Sequence, residues 1–205
     1  MPHSCQAYLV LTAGQPGSEP KEVVRVLQHP QISCVLLQLG ISAPDRSTVL
    51  EPLVRAIQSQ SIAALIAGDA ALAISIGADG VHLGKAGDLE AARTAYVAAR
   101  QVLGDKRIVG VACGDVRHDA MTLAELGADY VALGDGSDPE GRLAMVGWWS
   151  ELFSVPCVAW DVADPQSVRP LVDAGADFIA TGPQSGLPQA AETLRALALV
   201  SEVGT

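Results

Sequence analysis

The sequence predicts one closed barrel of eight alternating strands and helices, a (β/α)8 fold filling residues 1–205 as a single domain. Three observations predict it. The phrases Gly77-Ala78-Asp79-Gly80-Val81, Gly127-Ala128-Asp129-Tyr130-Val131 and Gly175-Ala176-Asp177-Phe178-Ile179 recur at intervals of 50 and 48 residues. Each follows a helix-like stretch and opens an apolar run, with its glycine free to adopt the left-handed backbone that closes a helix. A beat of roughly 50 residues is two strand–helix units of about 25, so 205 residues hold eight.

The units follow in order. Strand 1 is expected at Ala7–Leu11, before a Gly/Pro-rich loop from Gly14 to Pro20, and helix 1 at Lys21–Leu27. Strand 2 is Ser33–Leu39, helix 2 Thr48–Gln58 and strand 3 Ile62–Ile66. A short helix 3 ends at Gly77, and strand 4 is Gly80–Leu83. Helix 4 has the clearest signal: Leu89, Ala92, Tyr96, Ala99 and Leu103 fall at helical spacing, with Asp88 to cap the start and Gly104 the end. Strand 5 is Ile108–Ala112, helix 5 Arg117–Leu126 and strand 6 Tyr130–Leu133. A long loop, Gly134–Arg142, leads to a helix 6 bearing Trp148 and Trp149. Strand 7 is Cys157–Trp160; Asp164-Pro165 reads as a helix start, a cap followed by proline. Strand 8 is Phe178–Ala180 and the closing helix Pro188–Val200.

Composition narrows the function. Apolar residues make up 49% of the chain, dominated by Ala, Val and Leu, which suits a parallel sheet sheathed by helices. A formal charge of −10 argues against nucleic acid and against anionic membranes, and leaves phosphorylated ligands dependent on local cations or metal. No run is long enough to span a bilayer and no export signal is expected, which points to the cytoplasm. Cys5, Cys34, Cys113 and Cys157 are scattered and read as reduced, buried thiols; Cys113 is placed to face the barrel mouth. The adjacent Trp148 and Trp149 suggest packing or a homodimer contact.

Strand 4 and its loop read Gly77-Ala78-Asp79-Gly80-Val81-His82-Leu83-Gly84. With the phrases at strands 6 and 8, this run resembles the thiamine-phosphate-synthase and thiazole-tautomerase superfamily from about Val35 to Leu197. The resemblance implies a barrel that joins a pyrimidine pyrophosphate to a thiazole phosphate with magnesium, releasing pyrophosphate. It also marks departures. Where the family has Gln-x-Arg-x-Lys after strand 2, this chain has Gln38-Leu39-Gly40-Ile41-Ser42. The Asn-Asp after strand 3 becomes Ala67-Gly68, with Asp69 one place late. The metal-binding Asp after strand 4 becomes Asp88, again one place late. The Ser after strand 5 is Ala112, and the tautomerase His two places on is Gly114. Pro139-Glu140-Gly141-Arg142 replaces a Thr-x-Thr-Lys segment. The Gly-Gly ending strand 7, whose backbone approaches the thiazole phosphate, is Trp160-Asp161.

Barrels carry chemistry on the loops after their strands, so the site is expected there. Candidate catalytic groups are His82 for proton transfer, and Lys85 and Arg142 as phosphate-facing cations. Gln38, Asp115, Asp135, Thr181, Gly182 and Ser185 are candidate ligand-binding residues, the last three as a small anion nest after strand 8. Asp69 and Asp88 are candidate Mg²⁺ ligands, and each also stands where a helix cap is expected. The expected partner is a small, phosphorylated molecule. A catalytically inactive ligand-binding or interaction barrel, and an isomerase or lyase acting on a less charged substrate, remain open as alternatives.

Overall fold

The structure is a computed structural model that describes residues 5–14, 18–40, 45–134, 138–182 and 186–203. Strands and helices alternate: β1 (Gln6–Ala13), α1 (Pro20–Val26), β2 (Ile32–Leu39), α2 (Arg46–Gln58), β3 (Ala63–Ala67), α3 (Ala70–Ser75), β4 (Gly80–Leu83), α4 (Leu89–Leu103), β5 (Ile108–Gly114), α5 (Arg117–Glu125), β6 (Tyr130–Leu133), α6 (Pro139–Leu152), β7 (Cys157–Ala159), α7 (Val168–Asp173), β8 (Phe178–Thr181) and α8 (Gly186–Val203). All eight strands pair in parallel and in sequence order, and β8 returns to β1 to close the barrel. The predicted architecture is therefore the observed one.

Two element boundaries differ with consequences for the site. Helix α6 starts at Pro139, because Asp138 accepts from Gly141 N at 3.0 Å and proline suits the first helical position. Arg142, expected in a loop, is thus a helical residue. Asp164-Pro165 opens a short 3-10 turn at Pro165–Ser167 instead of the helix itself, and α7 follows it.

Strand alternation separates two sets of side chains. One set, including Leu9, Val35, Leu37, Ile66, Val81, Val131 and Ala159, faces the helices and forms the larger core. The other fills the barrel: Tyr8, Val10, Cys34, Leu36, Leu65, Tyr130, Ala132, Val158 and Ala180, with Trp160 against them. Cys113 belongs to the first set, so it does not face the mouth. It is buried, with its thiol pushed up to about 12 by desolvation, and is no nucleophile there. Trp149 is buried with its Nε1 donating to Val155 O at 2.7 Å, and Trp148 packs on Phe153 beneath Arg117. Much of this tryptophan pair is spent holding α6 to its own barrel. No described helix is long and apolar enough to cross a membrane.

The recurring Gly-Ala-Asp phrase has one structural job, performed three times. The glycines at 77, 127 and 175 take φ of 73°, 99° and 94°, and the alanines after them are buried. Each aspartate then reaches across to the neighbouring strand. Asp79 Oδ2 accepts from Ala64 N at 2.8 Å, Asp129 Oδ2 from Val109 N at 2.7 Å and Asp177 Oδ2 from Cys157 N at 2.8 Å. The strand starts of β3, β5 and β7 are thereby tied to those of β4, β6 and β8.

A charge-assisted bond to a backbone N–H contributes more than an exposed ion pair. Asp177→Ala is expected to destabilise the fold by about 1.5–3 kcal/mol, because it orphans Cys157 N. Asp173→Ala, which removes only the exposed pair with Arg169, is expected to cost under about 1 kcal/mol. Urea unfolding of both variants checks the ranking; equal losses would count against it.

Candidate functional site

The mouth of the barrel opens at the C-terminal ends of the strands, and a cavity of about 430 Å³ lies there. Gln38, His82, Lys85 and Trp160 line it, together with small residues such as Gly68 and Gly84. Alternation explains the first two: Gln38 continues the inward series of Cys34 and Leu36 on β2, and His82 follows inward-facing Gly80 on β4. Gln38 Nε2 donates to Thr12 Oγ1 at 2.9 Å, which fixes its amide against β1. Lys85 is exposed and extends across the mouth toward β5. A Cβ on Gly114 would stand 2.8 Å from its Nζ, so the glycine there, at φ 58°, leaves the lysine its path.

Below Lys85 runs a buried polar chain. His82 is 3% exposed, and its Nδ1 lies 2.9 Å from the Tyr130 hydroxyl. The Tyr130 hydroxyl lies 2.8 Å from that of Tyr8. Gly110 makes room for this arrangement, since any side chain at that position would collide with the Tyr130 ring. The imidazole stacks on the Trp160 indole with centroids 4.5 Å apart and planes 6° from parallel. Desolvation holds the His82 pKa down to about 4 and pushes both tyrosines well above their ordinary value, so all three are neutral at pH 7. Among the described residues nothing bonds His82 Nε2, which leaves this nitrogen to the cavity that His82 lines.

The remaining candidates lie elsewhere. Arg142 is 2% exposed and is not a cavity-lining residue; its Nη1 donates to Trp160 O at 2.9 Å and Asp161 O at 3.2 Å, so it holds the end of β7 from outside. Asp115 is exposed beyond β5 and does not line the cavity. Thr181 is buried at the end of β8, and Gly182 follows at φ 129°, pressed so close to Val10 O that a side chain has no room. Asp135 and Ser185 lie outside the described residues. Tyr8, Tyr130 and the inward turn of Trp160 were not among the sequence candidates. Their signal was parity: each shares the inward register of its strand.

The two metal candidates have other employment. Asp69 Oδ1 accepts from Leu72 N at 2.9 Å and its Oδ2 from Arg46 at 2.7 Å. Asp88 Oδ1 accepts from Ala91 N at 2.9 Å. Both are helix caps, and among the described residues no group of three or more acidic, His or Cys side chains is placed to hold a metal ion. With Asp69 held at both oxygens and Asp88 at one, neither is a free carboxylate of the kind that, with water and substrate phosphates, usually holds magnesium.

The family model described as thiamine monophosphate synthase matches residues 7–183. A thiamine-phosphate synthase of Erythrobacter litoralis is 34% identical, with 85% of each chain covered. One from Rhodospirillum centenum is 36% identical, with 86% of each chain covered. The solved structure of thiamine phosphate pyrophosphorylase from Pyrococcus furiosus superposes with a TM-score of 0.75 at 19% identity, over 98% of this chain and 97% of that one, a likeness of fold.

The buried imidazole links stability to pH. The unfolded chain binds a proton at His82 near the ordinary 6.5, the folded chain only near 4, so stability is full above about 6.5 and falls as pH drops toward 4. By pH 4 this single group is expected to withdraw on the order of 3 kcal/mol. His82→Phe keeps a ring against Trp160 and is expected to flatten the difference between pH 4.5 and 6.5, by about one proton in the slope. Urea unfolding across that range measures it; parallel slopes in the two proteins would show that His82 does not titrate so low.

Proposed function

The chain belongs to the thiamine monophosphate synthase family, and from that premise we propose that it is a divergent thiamine-phosphate-synthase-like barrel. In this reading it holds a small thiamine building block beneath Lys85 and performs the joining reaction weakly. The observation that carries the reading is the composition of the mouth: among the described residues one lining cation, Lys85, above a floor of neutral groups. The family's reaction transfers a pyrimidine from pyrophosphate to a thiazole, and the departing pyrophosphate takes the bonding electrons. That departure depends on positioned positive charge. Lys85 is the group that would face the leaving anion. Gln38, fixed by Thr12, and His82, through Nε2, would hold the polar edge of a ring. Glycines at 68, 84 and 134 leave the ring its space. No step is assigned to magnesium, because Asp69 and Asp88 serve as caps.

Magnitudes favour weak turnover. Removing one positioned donor from such a site costs roughly 3–4 kcal/mol, or about 10²–10³ in rate. Two family cations are absent after β2, and Arg142 is directed to backbone carbonyls instead of the cavity. A second reading, a binding barrel without turnover, draws on the same neutral floor. The two part in one experiment: a thermal-shift panel of thiamine intermediates with and without magnesium, followed by a turnover assay on each hit. Thiamine phosphate synthesis at least about 10³-fold below a family member with the full constellation is expected. Stabilisation by a pyrimidine or thiazole ligand should be indifferent to magnesium and weakened by Lys85→Ala. Robust magnesium-dependent turnover by the unmodified protein would overturn the proposal.

A further inference from the structure

The buried polar chain beneath the mouth has a direction, set by where its hydrogens can go. Tyr8, Tyr130 and His82 are buried and neutral at pH 7, so each carries one labile hydrogen, on a hydroxyl or on a ring nitrogen. Tyr8 Oη meets Tyr130 Oη at 2.8 Å, and Tyr130 Oη meets His82 Nδ1 at 2.9 Å. Each contact holds one hydrogen, so one of the three groups has a hydrogen to spare. In one arrangement Tyr8 donates to Tyr130 and Tyr130 to Nδ1, and the spare hydrogen sits on Nε2. In the reverse, Nδ1 donates to Tyr130 and Tyr130 to Tyr8, and the spare is on the Tyr8 hydroxyl. In the third, Tyr130 accepts from both neighbours, and its own hydrogen is the spare.

The surroundings choose among these. A buried donor without a good acceptor carries its full desolvation cost. In the third arrangement the Tyr130 hydrogen is stranded inside the barrel. In the reverse arrangement the Tyr8 hydrogen is left to the Cys34 thiol, with which Tyr8 interacts, and sulfur is a weak acceptor. The first arrangement uses both hydroxyl hydrogens. Its spare hydrogen lies on Nε2, the end of the chain that faces the cavity. Burial keeps the Cys34 thiol protonated, so it can act toward the Tyr8 oxygen as a weak donor. Acid strength points the same way. A phenol is a stronger acid than a neutral imidazole N–H, and an imidazole nitrogen is a stronger base than a phenol oxygen. Donation from Tyr130 to Nδ1 therefore joins the stronger donor to the stronger acceptor.

We propose that Tyr130, backed by Tyr8, is a positioning residue that holds His82 as its Nε2–H tautomer, so that the floor of the mouth presents a fixed hydrogen-bond donor. The ligand class follows: a neutral ring with an unprotonated nitrogen, its lone pair directed at Nε2. A ring offering an N–H at that point meets a second donor and is rejected. His82 keeps its proton in this role and does not pass it on. The Trp160 indole, stacked at 4.5 Å and 6° from parallel, holds the plane of the imidazole, and Gly110 leaves Tyr130 the room to reach it. The inference deepens the reading of the mouth as a site for a thiamine building block and rests on that reading for its ligand. A pyrimidine and a thiazole both carry such a nitrogen.

The test reads the tautomer directly. In ¹⁵N-labelled protein at pH 7, correlating the carbon-bound ring protons with both ring nitrogens separates a protonated nitrogen from an unprotonated one. Loss of the signals in His82→Phe assigns them. The wild type is expected to show Nε2 protonated and Nδ1 unprotonated; the opposite pattern would overturn the proposal. In Tyr130→Phe, Nδ1 should move toward the shift of an imidazole nitrogen that accepts no bond. Tyr8→Phe should move it the same way by less, because Tyr8 polarises the Tyr130 hydroxyl. Circular dichroism checks that both variants fold, and an Nδ1 unmoved in both would also overturn it. Pyrimidine and thiazole, added separately, are the lone-pair probes, and pyrrole is the ring with an N–H alone. At least one of the first two should shift Nε2 and bind about three- to tenfold more weakly to Tyr130→Phe. Which of them does so identifies the ring. Equal affinity in that variant, or pyrrole bound at Nε2 as tightly, would count against the proposal. If no ring shifts Nε2, the reading of the mouth as a ligand site fails, and the wild-type spectrum still decides the tautomer.

Discussion

Three carboxylates set the geometry on which the rest of this barrel depends. Asp79, Asp129 and Asp177 each accept a backbone N–H from the start of the preceding strand, at 2.7–2.8 Å. A parallel strand pair has no hairpin to fix its register, so register must come from packing or from bonds at the strand ends. Here the bond is supplied at every second unit. The glycine before each aspartate ends a helix with positive φ, and the alanine between them is buried. Turn, packing and register are thus set within three residues. The sequence beat of about 50 residues is the spacing of these ties, because one tie serves two strand–helix units.

With the strands held in register, parity decides what enters the barrel. Inward positions are mostly small or aliphatic, and into this lining β1, β4, β6 and β7 place Tyr8, His82, Tyr130 and, at the end, Trp160. A polar group in such a place must be bonded or neutral. The tyrosine hydroxyls bond each other and His82 Nδ1, and desolvation keeps the imidazole uncharged. The result is a rigid, uncharged floor with one imidazole nitrogen left for the cavity above. Rigidity has a physical source here, since the ring is held by a hydrogen bond on its edge and an indole on its face.

The fold was legible in the sequence because its signals are local. Helix α4 shows its apolar stripe, cap and stop within seventeen residues, and the Gly-Ala-Asp phrase announces each tie. The site was legible in part. His82 and Gln38 were placed near the ends of their strands and Lys85 just after one, and all three do line the cavity. Arg142 was misread because a helix start at Asp138-Pro139 moves it from a loop into the second turn of α6, where its side chain turns under β7. The tyrosine chain was missed because it joins residues 122 and 48 positions apart, and no local pattern records such a contact. Asp69 and Asp88 were ambiguous from sequence for a physical reason. A carboxylate just after a strand can cap the next helix or face the mouth, and only the backbone N–H it meets decides between them.

Electrostatics at the mouth explain how the scaffold tolerates such departures. In a barrel the core residues and the loop residues are separate sets, so loop charges change without disturbing the packing. The run after β2, Leu39-Gly40-Ile41-Ser42, carries no cation, so it adds no attraction for an anion. Introducing Asp161 is a different matter, because it places a charge inside. The structure meets it with another charge, Arg142, drawn from the neighbouring helix and anchored on the carbonyls of Trp160 and Asp161. The Arg142 charge opposes the desolvation that raises the Asp161 carboxyl. Through those two carbonyls α6 is tied to the end of β7, so the charge it brings inside is also a fixed part of the fold.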